Sequence, residues 1–155
     1  MNEMIIELPY PPTVNTYLVS RGGKGRSRYV SAKGKAFKTK STTLCKEFMI
    51  KHKFDGFKCP VKFEIGMFVP DKNRLRDCDN ILKALIDSVA ESGLIVDDNS
   101  YFLPSITVKR LGIKEKPKNL KRSDGGVVLK ITKAERGSDE YYSNLIEAFN
   151  EKFPS

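Results

Sequence analysis

Two acidic motifs hold most of the chemistry this chain can perform: Arg76-Asp77-Cys78-Asp79-Asn80-Ile81-Leu82-Lys83 and Leu94-Ile95-Val96-Asp97-Asp98-Asn99. In an extended backbone, residues two apart face the same side, so Asp77 and Asp79 can converge on one ion. Where Asp79 caps or opens a helix, Lys83 lies one turn further along the same face. Neighbours in an extended segment point oppositely, so only one of Asp97 and Asp98 is expected to join the pair. Three carboxylates in a small space repel one another unless a cation neutralises them, and an all-oxygen donor set suits Mg²⁺ or Mn²⁺. Beside a phosphodiester, such a site polarises the phosphoryl oxygen, generates hydroxide and stabilises a leaving 3′-oxygen. Lys83 can stabilise charge developing on phosphorus or help position the water. A plainer reading makes Asp77 and Asp79 helix caps and Asp97-Asp98-Asn99 a turn.

Other chemistries are excluded by what the sequence lacks. His52 is the only histidine, and Cys45, Cys59 and Cys78 form no CxxC pair, which removes a Cys/His zinc site and any catalytic histidine dyad. An EF-hand would need a D-x-D-x-D-G loop closed by a glutamate, which is not present. The glycine-rich stretch Arg21-Gly22-Gly23-Lys24-Gly25-Arg26 is not a Walker A loop, because no Gly-Lys-Ser/Thr follows at the required spacing. No small-molecule cofactor is expected. No apolar run approaches the roughly 18–20 residues that span a bilayer, and the start lacks the pattern of a signal peptide. A cytoplasmic protein with no membrane partner is the expectation.

The chain has 155 residues, 39% hydrophobic and 10% aromatic, enough for one domain with its own core. Its 28 Lys+Arg against 19 Asp+Glu leave a formal charge of +9, unevenly spread. Leu8 to Lys46 contains no acid, while Arg21, Lys24, Arg26, Arg28, Lys33, Lys35, Lys38, Lys40 and Lys46 are basic. A second basic block runs from Lys109-Arg110 through Lys121-Arg122. Between them, Asp71 to Asp98 holds seven acids against four bases. Basic flanks suit a phosphate backbone, whose counterions they displace, whereas the acidic island repels that backbone unless a cation sits between. Arg21, Lys24, Arg26, Arg28, Lys33, Lys35 and Arg76 are the candidate DNA contacts.

The elements that must position these residues read as an α+β domain. Met4 to Leu8 is a strand, stopped by Pro9-Tyr10-Pro11-Pro12. Ser31 is placed to cap a helix to about Lys51, with Phe37, Leu44, Cys45, Phe48 and Met49 at helical spacing. Val61 to Val69 alternates as a strand. Asp79-Asn80 are cap candidates for a helix carrying Leu82, Leu85, Ile86 and Val89, ended by Ser92-Gly93. Ser105–Arg110 and Val127–Thr132 read as strands, and Asp139 to Phe153 as a final amphipathic helix.

Taken together, these residues resemble the RusA-type Holliday junction resolvases, small endonucleases mostly of phage and prophage origin. The likeness rests on Leu8-Pro9-Tyr10-Pro11-Pro12-Thr13-Val14-Asn15, on Tyr29 to Phe37, and on Pro70-Asp71-Lys72 through Asp77-Cys78-Asp79-Asn80 with Lys83 and Asp87. Gly93-Leu94-Ile95-Val96-Asp97-Asp98 completes it. It covers about residues 4–132. The resemblance implies metal-binding acids at Asp77, Asp79 and Asp98, selecting Asp98 over Asp97, and an essential lysine at Lys83. It implies a mixed sheet packed by helices, Mg²⁺ with Mn²⁺ able to substitute, and a homodimer nicking opposing strands of a four-way or other branched DNA symmetrically. The ends would be 5′-phosphate and 3′-hydroxyl, the setting DNA recombination and repair in a bacterial or phage-infected cell. The alternatives are an inert nucleic-acid-binding protein, or a nuclease of flaps or forks. The segment 139–153 extends beyond shorter members, and Cys78 stands where an aliphatic residue is common.

Overall fold

Strand alternation builds one side of the core. In the computed structural model, which describes residues 1–20, 22, 27–70, 79–112, 116–121, 124–134 and 140–155, β1 is Glu3–Leu8. A single helical turn, α1 (Val14–Tyr17), leads into β2 (Leu18–Ser20), which pairs antiparallel with β3 (Arg28–Val30) as a separate hairpin. The long helix α2 spans Ala32–Lys51. Next come β4 (Val61–Phe68), a 3-10 turn at Asp79–Ile81, α3 (Leu82–Glu91), β5 (Ser105–Arg110), β6 (Gly126–Lys133) and α4 (Glu140–Lys152).

The main sheet has the order β1-β6-β4-β5. Its β6 runs antiparallel to both β1 and β4, while β4 and β5 are parallel and joined through α3, as parallel neighbours require a crossover. Register puts Met4, Ile131 and Phe63 in one row, Ile6, Leu129 and Ile65 in the next, and Leu8, Val127 and Met67 in a third. All nine are buried. They share one core with Phe37 and Cys45 of α2 and Ala84, Leu85 and Val89 of α3. The opposite face carries charged side chains, with Lys130 between Glu3 (3.3 Å) and Glu64 (3.9 Å), beside the exposed Ile5.

The two helices meet through small residues. Ser41 and Cys45 are buried on α2, and Ala84 and Ser88 on α3, where the two helices pack together. Cys45, sealed there, has its thiol pushed up to about 11 by burial. Lys38 of α2 also pairs with Glu91 of α3. Ser31 caps α2 as expected, its hydroxyl accepting from Gly34 N–H at 3.0 Å. Gly93 ends α3 region with φ +84°, a left-handed conformation that favours glycine.

One expectation is corrected by the structure. Neither Asp79 nor Asn80 caps α3: a 3-10 turn intervenes, and the N-cap is Ile81, in helical conformation with no side-chain hydrogen bond. Ile81 itself is fully buried, so core packing rather than capping sets where this helix starts. The β2–β3 hairpin and α1 were not anticipated, because three-residue strands are too short for alternation to register. Among the described residues, no helix is long and apolar enough to cross a membrane.

Candidate active site

The apolar stripe of α3 faces the core through Ala84, Leu85, Ser88 and Val89, which turns Lys83 and Asp87 toward its polar side. Lys83 donates to Asp87 Oδ1 at 2.8 Å, and Tyr17 Oη donates to Asp87 Oδ2 at 3.1 Å. One carboxylate therefore holds two donors, one from its own helix and one from α1. The hydrogen bond that Lys83 donates to Asp87 raises the Lys83 pKa above its ordinary value, partial desolvation opposes this, and the charges of Asp87 and Asp98 add to the rise. Lys83 remains a cation and is half exposed. Tyr17 is pushed well above the usual phenol range, first by burial and then by Asp87.

Asp79 opens the turn ahead of α3 and is exposed. With Ile81 as the N-cap, capping does not occupy its carboxylate. After Gly93 the chain returns through Leu94 and Ile95, both buried, which fixes where the next three residues emerge. Asp97 is taken up by the turn: Oδ1 accepts from Asp98 N–H at 2.8 Å and Oδ2 from Asn99 Nδ2 at 2.7 Å. Asn99 Oδ1 in turn accepts from the backbone of Tyr101 (3.0 Å) and Phe102 (3.1 Å). Asp97 and Asn99 thus build the turn, and the charge of Asp98 is the smallest of the influences on the Lys83 pKa.

Asp79, Lys83 and Asp98 are accordingly placed around the entry and exit of one helix. Asp77 and Arg76 lie outside the described residues, as do Arg21, Lys24 and Arg26. Among the described residues, no group of three or more His, Cys, Asp or Glu side chains could hold a metal ion. The donors in hand, Asp79 and Asp98, supply hard carboxylate oxygens, a type of donor that fits Mg²⁺ or Mn²⁺ once a further acid joins.

The described basic candidates lie on β3 and α2. Arg28 begins β3, and Lys33 and Lys35 sit in the first two turns of α2, all exposed. A groove along α2 is lined by Lys35, Lys38 and Lys46 with Thr39, Thr42, Thr43 and Glu91; Lys38 is paired with Glu91, so Lys46 is the candidate backbone contact added to those singled out in the sequence. Tyr17 and Asp87 were also not singled out as site residues. The signal for Asp87 was its i,i+4 spacing from Lys83. For Tyr17 there was none, since its partner lies 70 residues away.

Comparison with known proteins gives a consistent result. The family described as endodeoxyribonuclease RusA matches residues 9–131. The crossover junction endodeoxyribonuclease RusA of Shigella sonnei (strain Ss046) is 38% identical over 98 residues, covering 63% of this chain and 76% of that one. Its namesake from Enterobacteria phage HK97 is 37% identical over 102 residues, covering 65% and 78%. Among solved structures, the periplasmic domain of Helicobacter pylori MotB (residues 97–256) aligns over 98% of this chain and 94% of its own, at TM-score 0.42 and 13% identity. That likeness is too loose to bear on fold or function.

Proposed function

Because this chain belongs to the RusA family of endodeoxyribonucleases, we propose that it resolves Holliday junctions, nicking opposing strands of a four-way DNA symmetrically as a homodimer. The observation that carries the reading is the placement of Lys83 on α3, anchored by Asp87 and within the field of Asp98, one turn after Asp79. In this reading Asp77, Asp79 and Asp98 hold Mg²⁺, or Mn²⁺ in its place, which when bound supplies Lewis-acid polarisation of the scissile phosphate and a more acidic water.

The rest falls to the chain's own groups. Lys83, kept cationic, offers its ammonium to the charge that builds on the phosphoryl oxygens as water attacks phosphorus. The bond to the 3′-oxygen breaks, that oxygen leaves as a hydroxyl, and the phosphate stays on the 5′ end. Arg28, Lys33, Lys35 and Lys46 face the backbone on either side, where neutralised phosphates release counterions and the +9 charge supports binding. A two-fold junction presents two equivalent strands, which a two-fold protein addresses with one site each.

The test is cleavage of an end-labelled, immobile four-way junction with Mg²⁺, beside a fork, a flap and linear duplex of the same sequence. Paired nicks at the junction with 5′-phosphate ends are expected. Equal cutting of all four DNAs, or cutting of the fork or flap alone, would overturn the substrate assignment.

A further inference from the structure

The Tyr17–Asp87–Lys83 chain of hydrogen bonds is more than the candidate chemistry requires, and its construction shows what it is for. Lys83 carries a long flexible stem and is half exposed, so nothing but Asp87 among the described residues fixes its ammonium. Lys preceding Asp at i,i+4 is the less favourable order against the helix dipole, which makes the pair a poor helix stabiliser. Asp87 itself is largely buried, and its second oxygen is held by Tyr17 at 3.1 Å. Tyr17 is fully buried and cannot swing away. A Cβ on Gly34 would come within 2.7 Å of the Tyr17 ring, so α2 is pressed directly against it. The Tyr17 carbonyl also accepts from Ser31 N–H at 2.9 Å, and Ser31 Oγ donates to the Thr16 carbonyl at 2.5 Å. The ring is thus clamped between the cap of α2 and the polar side of α3.

We infer that Asp87, held by Tyr17, is a positioning residue that fixes the Lys83 ammonium for phosphodiester cleavage. This rests on the nuclease reading above. It makes the clamp a device for holding a flexible cation rather than a fold strut, and it ties the root of the β2–β3 hairpin to the same carboxylate, since Tyr17 immediately precedes β2.

Two measurements test it. In single-turnover cleavage of a four-way junction at saturating enzyme, Asp87→Asn is expected to slow the reaction about tenfold or more, and Tyr17→Phe about threefold. Junction affinity without Mg²⁺ should stay within about twofold of wild type for both. In a Lys83→Ala background, Asp87→Asn should add no further loss, because what it positions is gone. Equal loss with and without Lys83 would make Asp87 a strut and overturn the inference. The second measurement does not need activity: acetylation of Lys83 by acetic anhydride, followed by peptide mass spectrometry. Freed from Asp87, Lys83 should react several times faster in Asp87→Asn, and an unchanged rate would overturn the inference. If wild type cuts no branched DNA, the nuclease reading fails while the acetylation result still decides whether Asp87 holds Lys83.

Discussion

Helices α3 and α4 have similar sequence patterns and opposite fates. Each is an amphipathic segment with apolar residues at helical spacing. In α3 the stripe is sealed: Leu85 and Val89 are fully buried against α2 and the sheet. In α4 it faces solvent, with Leu145 50%, Ile146 57%, Phe149 56% and Phe153 58% exposed. Periodicity identifies a face that favours burial, but it does not say what buries it. The family match ends at residue 131, inside β6, so α3 lies within the shared framework and α4 beyond it. The polar side of α3 is therefore held by a fixed core, which suits precise positioning of Lys83 and Asp87.

The contrast breaks most sharply at the site. Lys83→Ala and Asp79→Asn are each expected to lower junction cleavage by about a hundredfold or more with binding retained. Gel-shift and cleavage assays on the same preparation check this, and loss of both together would point to misfolding instead. Stability should follow the two helices next. Leu85→Ala should cost about 2–5 kcal/mol by leaving a cavity. Phe149→Ala in the exposed stripe should stay within about 0.5 kcal/mol. Urea denaturation of both variants gives the comparison, and equal costs would mean that α4 is buried in solution.

A smaller effect concerns pH. Cys45, Tyr17 and Lys83 all have folded-state values above their ordinary ones. A raised value contributes stability that is present below the unfolded value and lost as pH rises toward the folded one. Thermal stability should therefore decline as pH rises from about 9, where Cys45 begins to matter, and further above about 10. Tyr17→Phe should flatten the upper part of that decline in a melting series, and an unchanged slope would remove Tyr17 from the account. Smallest of all, neutralising Lys33 or Lys35 should reduce the slope of log K against log[salt] by about one each.

Much of this was legible in the chain because it is local. Strict alternation in Val61–Phe68 and the Ser31 cap each fix an element within a few residues, and both appear as read. The beginning of α3 was misjudged because Asp79 and Asn80 are good caps by type, while the start is set by buried Ile81. The choice between Asp97 and Asp98 was beyond periodicity. It depends on side-chain bonds within one turn, where Asp97 spends both oxygens on its neighbours. The Tyr17–Asp87 bond joins residues 70 apart, which no local pattern encodes.

That division between adjacent acids offers the most direct check of the central claim. Four-way junction cleavage with Mg²⁺ should be measured for wild type, Asp98→Asn and Asp97→Asn, with binding followed in parallel. Asp98→Asn is expected to bind the junction and fail to cut it, while Asp97→Asn is expected to cut within a few-fold of wild type and to melt at a lower temperature. An Asp98→Asn protein that cuts like wild type would contradict the site described here.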